Sequence, residues 1–183
     1  MPDRLVSRVT LAVAAVAASS AVYAAEPYGF GREATPQEIA GWDIDVSPSG
    51  AGLPPGRGNV RQGEAIFAAK CASCHGAHGE GKPMDRLVGG VGTLRDKKPE
   101  KTVGSFWPYA TTLFDYVRRA MPLNAPQSLN PDEVYAVSAY VLFLNGILPQ
   151  DATLNAITLA KVKMPNRDGF VSAYPSSSAG AKP

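Results

Sequence analysis

The chain has 183 residues, of which 45% are hydrophobic, and this is enough for one globular domain with tails and too little for a large multi-domain enzyme. Its 18 basic and 16 acidic residues leave a formal charge of only +2. A charge this small creates no strong field for binding nucleic acid or an anionic membrane, so no nucleic-acid partner is expected.

Residues 1–25 have the pattern of a secretory signal peptide, because two arginines precede an uncharged apolar run at residues 9–22. Small residues near its end predict cleavage after Ala24 or Ala25. The mature chain would then begin near Glu26 and be exported to the periplasm. An uncleaved membrane anchor is the alternative, but the run is shorter than the ~20 apolar residues that span a bilayer. No membrane insertion of the mature chain is expected.

Residues 26–58 are rich in glycine and proline and are predicted to form an extended arm. Within it only Pro36–Trp42 is suited to a short helix, with Thr35 as its cap. The aromatic side chains of the arm, Tyr28, Phe30 and Trp42, indicate that it lies against its own domain or a partner.

Residues 59–148 are predicted to form an all-α domain, in which a glycine-rich loop follows the first helix. That helix covers Val60–Lys70, and Ala65, Ile66 and Ala69 repeat on one of its faces. Gly63 and Phe67, four residues apart, share a face that could let another helix approach closely.

Two more helices complete this domain. One should begin at Thr112, with Asp115 at the reciprocal capping position, and end before Pro122. The last should be capped by Asn130 and end at Asn145 and Gly146. Its predicted apolar face is Val134, Val137, Tyr140, Val141 and Leu144. Residues 149–183 are predicted to be irregular, with a disordered tail.

The strongest chemical signal is Cys71-Ala72-Ser73-Cys74-His75. In this pattern two thiols add to the vinyl groups of a porphyrin and the histidine lies beneath the iron. A disulfide is the alternative in an exported chain, and zinc would need further ligands that the chain hardly offers. Cys71 and Cys74 are therefore the predicted haem-binding residues, and one covalently bound haem c is the predicted cofactor.

His75 is the predicted axial ligand of the iron, and its other ring nitrogen should donate to a backbone carbonyl, for which Pro83 is one candidate. His78 lies three residues further on, on the wrong side of the haem. No third cysteine exists, so methionine is left for the opposite face. A thioether ligand raises the reduction potential, as suits an electron carrier.

Met121 is the predicted sixth ligand, because it lies in a Met-Pro turn before the last helix, and this turn can fold over the open haem face. Met164, in a second Met-Pro pair, is the second choice, and Met84 lies close behind the haem motif. Phe106, Trp107 and Tyr109 are expected to belong mainly to the core. The basic residues are expected to form a solvated surface, with docking of an acidic partner as the alternative: Arg95, Lys97, Lys98, Lys101, Arg118 and Arg119.

Gly63, Phe67, the haem motif, Met121 and a final helix with Tyr140 together resemble a class I cytochrome c. In that family the first and last helices of a small bundle cross through such residues, and the methionine binds iron. Residues 42–46, 50–56, 102–112, 124–129 and 164–170 are similar to haem subunits of bacterial sulfane dehydrogenase, of the SoxCD type, or sulfite dehydrogenase.

This resemblance implies that a molybdenum-containing subunit passes single electrons to the haem, and that a soluble cytochrome c accepts them. The chain itself would then be an electron-transfer subunit and not an enzyme. A free-standing electron shuttle is one alternative. A haem enzyme that oxidises a sulfur compound is the other, although a His/Met iron leaves no open position for a substrate.

Overall fold

The computed structural model describes residues 30–174, so the predicted signal peptide and the C-terminal tail lie outside the described residues. Residues 30–36 belong to a separate unit, and all packing described below lies within the unit that begins at Gln37. Between residues 30 and 174 no helix is long and apolar enough to span a membrane.

The regular secondary structure of the described residues is mainly helical, which confirms the predicted all-α class. The elements in chain order are helix α1 (Pro36–Trp42), strand β1 (Arg57–Asn59), helices α2 (Val60–Lys70) and α3 (Ala72–His75), a 3₁₀ turn (Thr93–Arg95), helices α4 (Ala110–Ala120) and α5 (Pro131–Leu144), strand β2 (Thr153–Asn155) and helix α6 (Ala156–Leu159).

Helices α2 and α5 pack against each other at unusually close range. A Cβ atom on Gly63 would collide with the backbone carbonyl of Ala136, and the rings of Phe67 and Tyr140 lie 5.4 Å apart. A Cβ on Gly58 of β1 would collide with the backbone nitrogen and the Cα of Ala136. The prediction that Gly63 lets another helix approach is therefore confirmed. Gly63 of α2 and Gly58 of β1 both permit close approach to Ala136 of α5.

The buried face of α2 differs from the predicted alanine face. Ala65 and Ala69 are exposed, whereas Val60, Gly63 and Phe67 are buried. Alanine buries little apolar area, so the larger Phe67 decides which face turns inward.

Helix α5 follows its local signals closely. The Asn130 side chain accepts a hydrogen bond from the Glu133 N–H, and the Glu133 side chain accepts one from the Asn130 N–H. The helix ends at Leu144 with Asn145 as its C-cap, and Gly146 has a left-handed φ of +68°. The predicted apolar face is buried except for Leu144, which is half-buried, and the whole stretch 134–142 is buried. This helix is therefore the centre of the core.

Helix α4 begins at Ala110 and not at Thr112, so the predicted cap is wrong. Tyr109 occupies the N-cap position without a side-chain hydrogen bond. Asp115 instead accepts a hydrogen bond from the Val46 N–H at 3.0 Å. Ala110 is buried in the core, and this burial favours the longer helix over the local capping signal.

The part of the arm that follows α1 lies on its own domain. Arg118 donates to the Ile44 carbonyl at 3.2 Å, and the Tyr135 hydroxyl donates to the Pro54 carbonyl at 2.8 Å. Val46 is buried in the core. The helix predicted at Pro36–Trp42 is confirmed as α1, and all of its residues are exposed.

The segment after Leu148 is partly ordered, which corrects the prediction that it is irregular throughout. Strand β2 pairs antiparallel with β1, with Gly58 opposite Leu154. Leu154 and Leu159 are buried, and Met164 is only 1% exposed. Three-residue strands show no readable alternation, so their pairing depends on contacts distant in sequence.

Candidate haem site

The haem motif is placed by the junction of α2 and α3. Cys71 lies at the end of α2, and its carbonyl accepts hydrogen bonds from the N–H groups of Cys74 at 3.1 Å and His75 at 3.0 Å. The single turn of α3 therefore places the Cys71, Cys74 and His75 side chains within one turn of backbone. The two cysteines form no disulfide, and both side chains are half-buried.

The surroundings of Cys71 favour an uncharged sulfur. Burial raises the pKa of this thiol from 9.0 to about 11, although the neighbouring Lys70 acts in the opposite direction. A thiolate is therefore disfavoured at this position in the folded chain. A thioether carries no charge, so a sulfur bonded to a porphyrin carbon suits the position.

The ring of His75 is oriented by the loop that follows it. Its Nδ1 atom lies 2.8 Å from the Asp85 carbonyl oxygen, so Nδ1–H donates and Nε2 keeps its lone pair for a metal. A backbone carbonyl therefore holds the ring as predicted, but it belongs to Asp85 and not to the candidate Pro83. The loop turns back at Gly81, whose N–H donates to the His75 carbonyl at 2.7 Å, and this turn brings Asp85 to the ring.

The three methionines of the described chain occupy different environments. Met121 follows the last residue of α4, is half-buried and packs against the core. Met164 lies within the core with 1% of its surface exposed, and Met84 is 48% exposed. A ligand must reach an apolar cofactor without being enclosed by protein on every side, and only Met121 among the three is half-buried.

Other half-buried apolar residues pack against the core in the same way as Met121. They include Cys71, Ala72, Leu87 and Trp107. The Trp107 ring meets the Tyr116 ring edge to face at 5.8 Å. Trp107 therefore packs against the core but is not fully buried in it.

Phe106 and Tyr109 are half-buried and are covered by cations. The Lys101 ammonium lies 5.0 Å from the centre of the Phe106 ring, and the Arg167 guanidinium lies 4.2 Å from that of Tyr109. Phe170 also packs on Phe106, with ring centres 5.1 Å apart.

The basic residues divide into two groups, which corrects the prediction of one solvated surface. Four of them are exposed as expected, namely Arg95, Lys97, Lys98 and Lys101. Arg118 and Arg119 are half-buried instead. Arg119 pairs with Asp115 at 2.8 Å and with Asp45 at 2.7 Å, so both arginines bind the arm to α4. Across residues 30–174 no group of three or more His, Cys, Asp or Glu side chains could hold a metal ion.

The comparisons with known proteins agree with this geometry. A family model described as cytochrome c matches residues 60–145. A chain of the crystal structure of the sulfane dehydrogenase SoxCD from Paracoccus pantotrophus is 45% identical, with a TM-score of 0.75 over 84% of this chain and 75% of that chain. The chain belongs to the cytochrome c family. No curated protein sequence matches it.

This cytochrome c carries haem c, and its residues fit that cofactor. The two cysteines have the spacing that haem attachment needs, and the orientation of His75 leaves Nε2 available. The fold is that of a class I cytochrome c, because the crossing of α2 and α5 uses Gly63, Phe67 and Tyr140. Its activity is electron transfer, for which the cofactor supplies a one-electron centre.

Asp85 is the site residue that sequence reasoning missed. It contributes its backbone carbonyl and not its carboxylate, so its residue type carries no signal. The sequence indicated only that a backbone carbonyl of the glycine-rich loop after the haem motif would accept a hydrogen bond from the His75 ring.

Proposed function

We propose that this cytochrome c is the monohaem electron-transfer subunit of a periplasmic, molybdenum-dependent dehydrogenase that acts on sulfite or a sulfane group. Cys71 and Cys74 hold the haem by thioether bonds, and His75 and Met121 bind its iron. The observation that carries the ligand assignment is the 2.8 Å contact between His75 Nδ1 and the Asp85 carbonyl, which leaves Nε2 free for iron.

Met121 is assigned over the other two methionines by its environment. Met164 would have to leave a core position that is 99% covered, and its space would be left as a cavity. Met84 is 48% exposed. Its N–H donates to the Cys74 carbonyl at 2.9 Å, so Met84 lies beside the haem motif, on the side that His75 occupies. Met121 needs neither change, because it is already half-buried beside the core.

Two protein ligands define what the site can do. With His75 and Met121 both bound to it, the iron would offer no place for a substrate, and it would transfer electrons without breaking bonds. His75 donates electron density that its hydrogen bond to Asp85 strengthens, and the Met121 sulfur favours ferrous iron. These residues therefore tune a carrier and do not perform catalysis.

The extent of the similarity supports a subunit over a free-standing shuttle. The cytochrome c model matches residues 60–145, whereas the similarity to the SoxCD chain covers 84% of the protein. It must therefore reach into the flanking segments, which a shuttle does not need for holding its haem. A molybdenum subunit is the electron donor in this proposal, and a soluble cytochrome c is the acceptor.

Export to the periplasm belongs to the same proposal. It is supported by the signal-peptide pattern of residues 1–25 and by the covalent haem attachment that the family shares. The mature protein should begin at Ala25 or Glu26, and this can be read from the N-terminal sequence of the natural protein.

The proposed function is tested by purifying the full-length tagged chain from its natural source. Molybdenum should elute with haem in a fixed ratio, and sulfite or a protein-bound sulfane should reduce the haem in this complex. The isolated cytochrome, treated in the same way, should stay oxidised. Haem that elutes without molybdenum would contradict the subunit role and favour a shuttle. Turnover of a sulfur compound by the isolated cytochrome would instead show a haem enzyme.

A further inference from the structure

We propose that Asn145, at the end of α5, is a positioning residue for the iron ligand His75. Its side-chain amide holds the loop of residues 85–89 and so keeps the Asp85 carbonyl on the His75 ring. This inference rests on the ligation of iron by His75 proposed above.

The Asn145 amide uses both of its polar atoms on structured backbone. Nδ2 donates to the Leu87 carbonyl at 3.2 Å and to the Val141 carbonyl at 2.9 Å. Oδ1 accepts a hydrogen bond from the Gly89 N–H at 3.1 Å. The loop is therefore joined to α5 by two hydrogen bonds from one side chain. Asparagine suits this position because its amide is both a donor and an acceptor.

The space around this amide is closed by a second loop. A Cβ atom on Gly104 would collide with Oδ1 of Asn145. Thr102, near Gly104 in the chain, donates through Oγ1 to the Gly89 carbonyl at 2.6 Å. Both backbone groups of Gly89 are thus bound by side chains that come from other parts of the fold, and Thr102 is only 3% exposed.

These contacts lead directly to the histidine. Leu87 lies two residues after Asp85, and its own N–H donates to the Gly79 carbonyl at 2.8 Å. Leu87 is therefore held from both sides, by Gly79 and by Asn145. On the other side of Asp85, the Met84 N–H is bound to the Cys74 carbonyl at 2.9 Å. The Asp85 carbonyl is fixed between these anchors, and removing the Asn145 amide loosens one of them.

The consequence for the iron follows from the hydrogen bond of the imidazole. A strong bond from Nδ1–H to a carbonyl makes the ring a better electron donor, which stabilises ferric iron. A loosened loop weakens that bond, so the reduction potential should rise. The same weakening should expose Nδ1–H to solvent and speed its exchange.

The test compares Asn145→Leu with Asn166→Leu in the haem-loaded protein. Asn166 is a matched control, because its Nδ2 also holds a loop carbonyl, that of Phe106 at 2.7 Å, but it has no hydrogen bond to residues 85–89. We expect the His75 Nδ1–H of the reduced protein to exchange at least about tenfold faster in Asn145→Leu, with a higher midpoint potential. Both quantities should stay at wild-type values in Asn166→Leu.

If Asn145→Leu does not fold, Thr102→Val gives the second test, because it removes the other tether of Gly89 and keeps a β-branched side chain of similar shape. It should change exchange and potential in the same direction. Wild-type exchange and potential in the folded loop variant, or equal changes in Asn166→Leu, would overturn the positioning role. A wild-type protein whose His75 ring signals show no binding to iron would instead overturn the ligand assignment, and this inference with it.

Discussion

Replacing Gly63 by alanine tests the helix crossing on which the haem domain is built. A Cβ at this position would collide with the carbonyl group of Ala136 and would lie 2.8 Å from the Cβ of Tyr140. The collision is with backbone, which cannot turn aside as a flexible side chain can. Helices α2 and α5 would therefore have to move apart by about 1 Å to restore ordinary contacts.

The size of the effect can be worked out from two opposing contributions. Alanine gains about 1 kcal/mol over glycine in a helix interior. Overpacking of a well-packed core costs about 1–3 kcal/mol, and a clash with backbone belongs at the upper end of this range. The free energy of unfolding should therefore fall by about 2 kcal/mol. With a guanidinium m-value of about 3 kcal/mol/M, the midpoint should fall by about 0.7 M.

Gly41 provides the matched control, because it is also helical and a Cβ there would meet nothing within 4 Å. Gly41→Ala should leave the midpoint unchanged or raise it slightly. Unfolding of both haem-loaded variants is followed by far-ultraviolet circular dichroism in guanidinium. A Gly63→Ala midpoint equal to or above that of wild type would refute the reasoning about the crossing.

Three further substitutions test how the arm is held on the domain. Asp115→Ala removes the acceptor of the Val46 N–H at 3.0 Å and should lower the free energy of unfolding by about 1–2 kcal/mol. The Asp45 side chain is 81% exposed, so Asp45→Ala should lower the free energy of unfolding by less than about 0.5 kcal/mol. Tyr135→Phe removes the 2.8 Å hydrogen bond to the Pro54 carbonyl and should lower the free energy of unfolding by about 1 kcal/mol. All three variants are measured in the same denaturation assay. Equal losses in Asp115→Ala and Asp45→Ala would contradict the role given to Asp115.

The elements that the sequence predicts well are those with short-range causes. Helix α5 begins after its cap Asn130 and ends before Gly146 because a capping box and a left-handed glycine act within a few residues of the helix ends. The haem motif is equally local, since Cys71, Cys74 and His75 lie within five residues.

The elements that escaped prediction depend on contacts distant in sequence. Strand β1 pairs with a strand almost a hundred residues later, and neither has a pattern of its own. Helix α4 extends back to Ala110 because the domain buries that turn. Asp85 acts through a backbone carbonyl that every residue possesses.

Asn145 ends a helix and also binds a distant loop, and the sequence indicates only the first of these roles. An asparagine followed by glycine is typical of a helix end, and this reading is confirmed. Its hydrogen bonds to Leu87 and Gly89 reach more than fifty residues back along the chain, and no local pattern predicts them.

The central claim is that Met121 completes the coordination of an iron that His75 binds from the other side. It is tested most directly by the near-infrared sulfur-to-iron band of the ferric protein, recorded for wild type, Met121→Ala and Met164→Leu. We predict that wild type and Met164→Leu show the band and that Met121→Ala lacks it. A band that persists in Met121→Ala would contradict the assignment of the sixth ligand, and a wild type without the band would contradict the His/Met electron carrier itself.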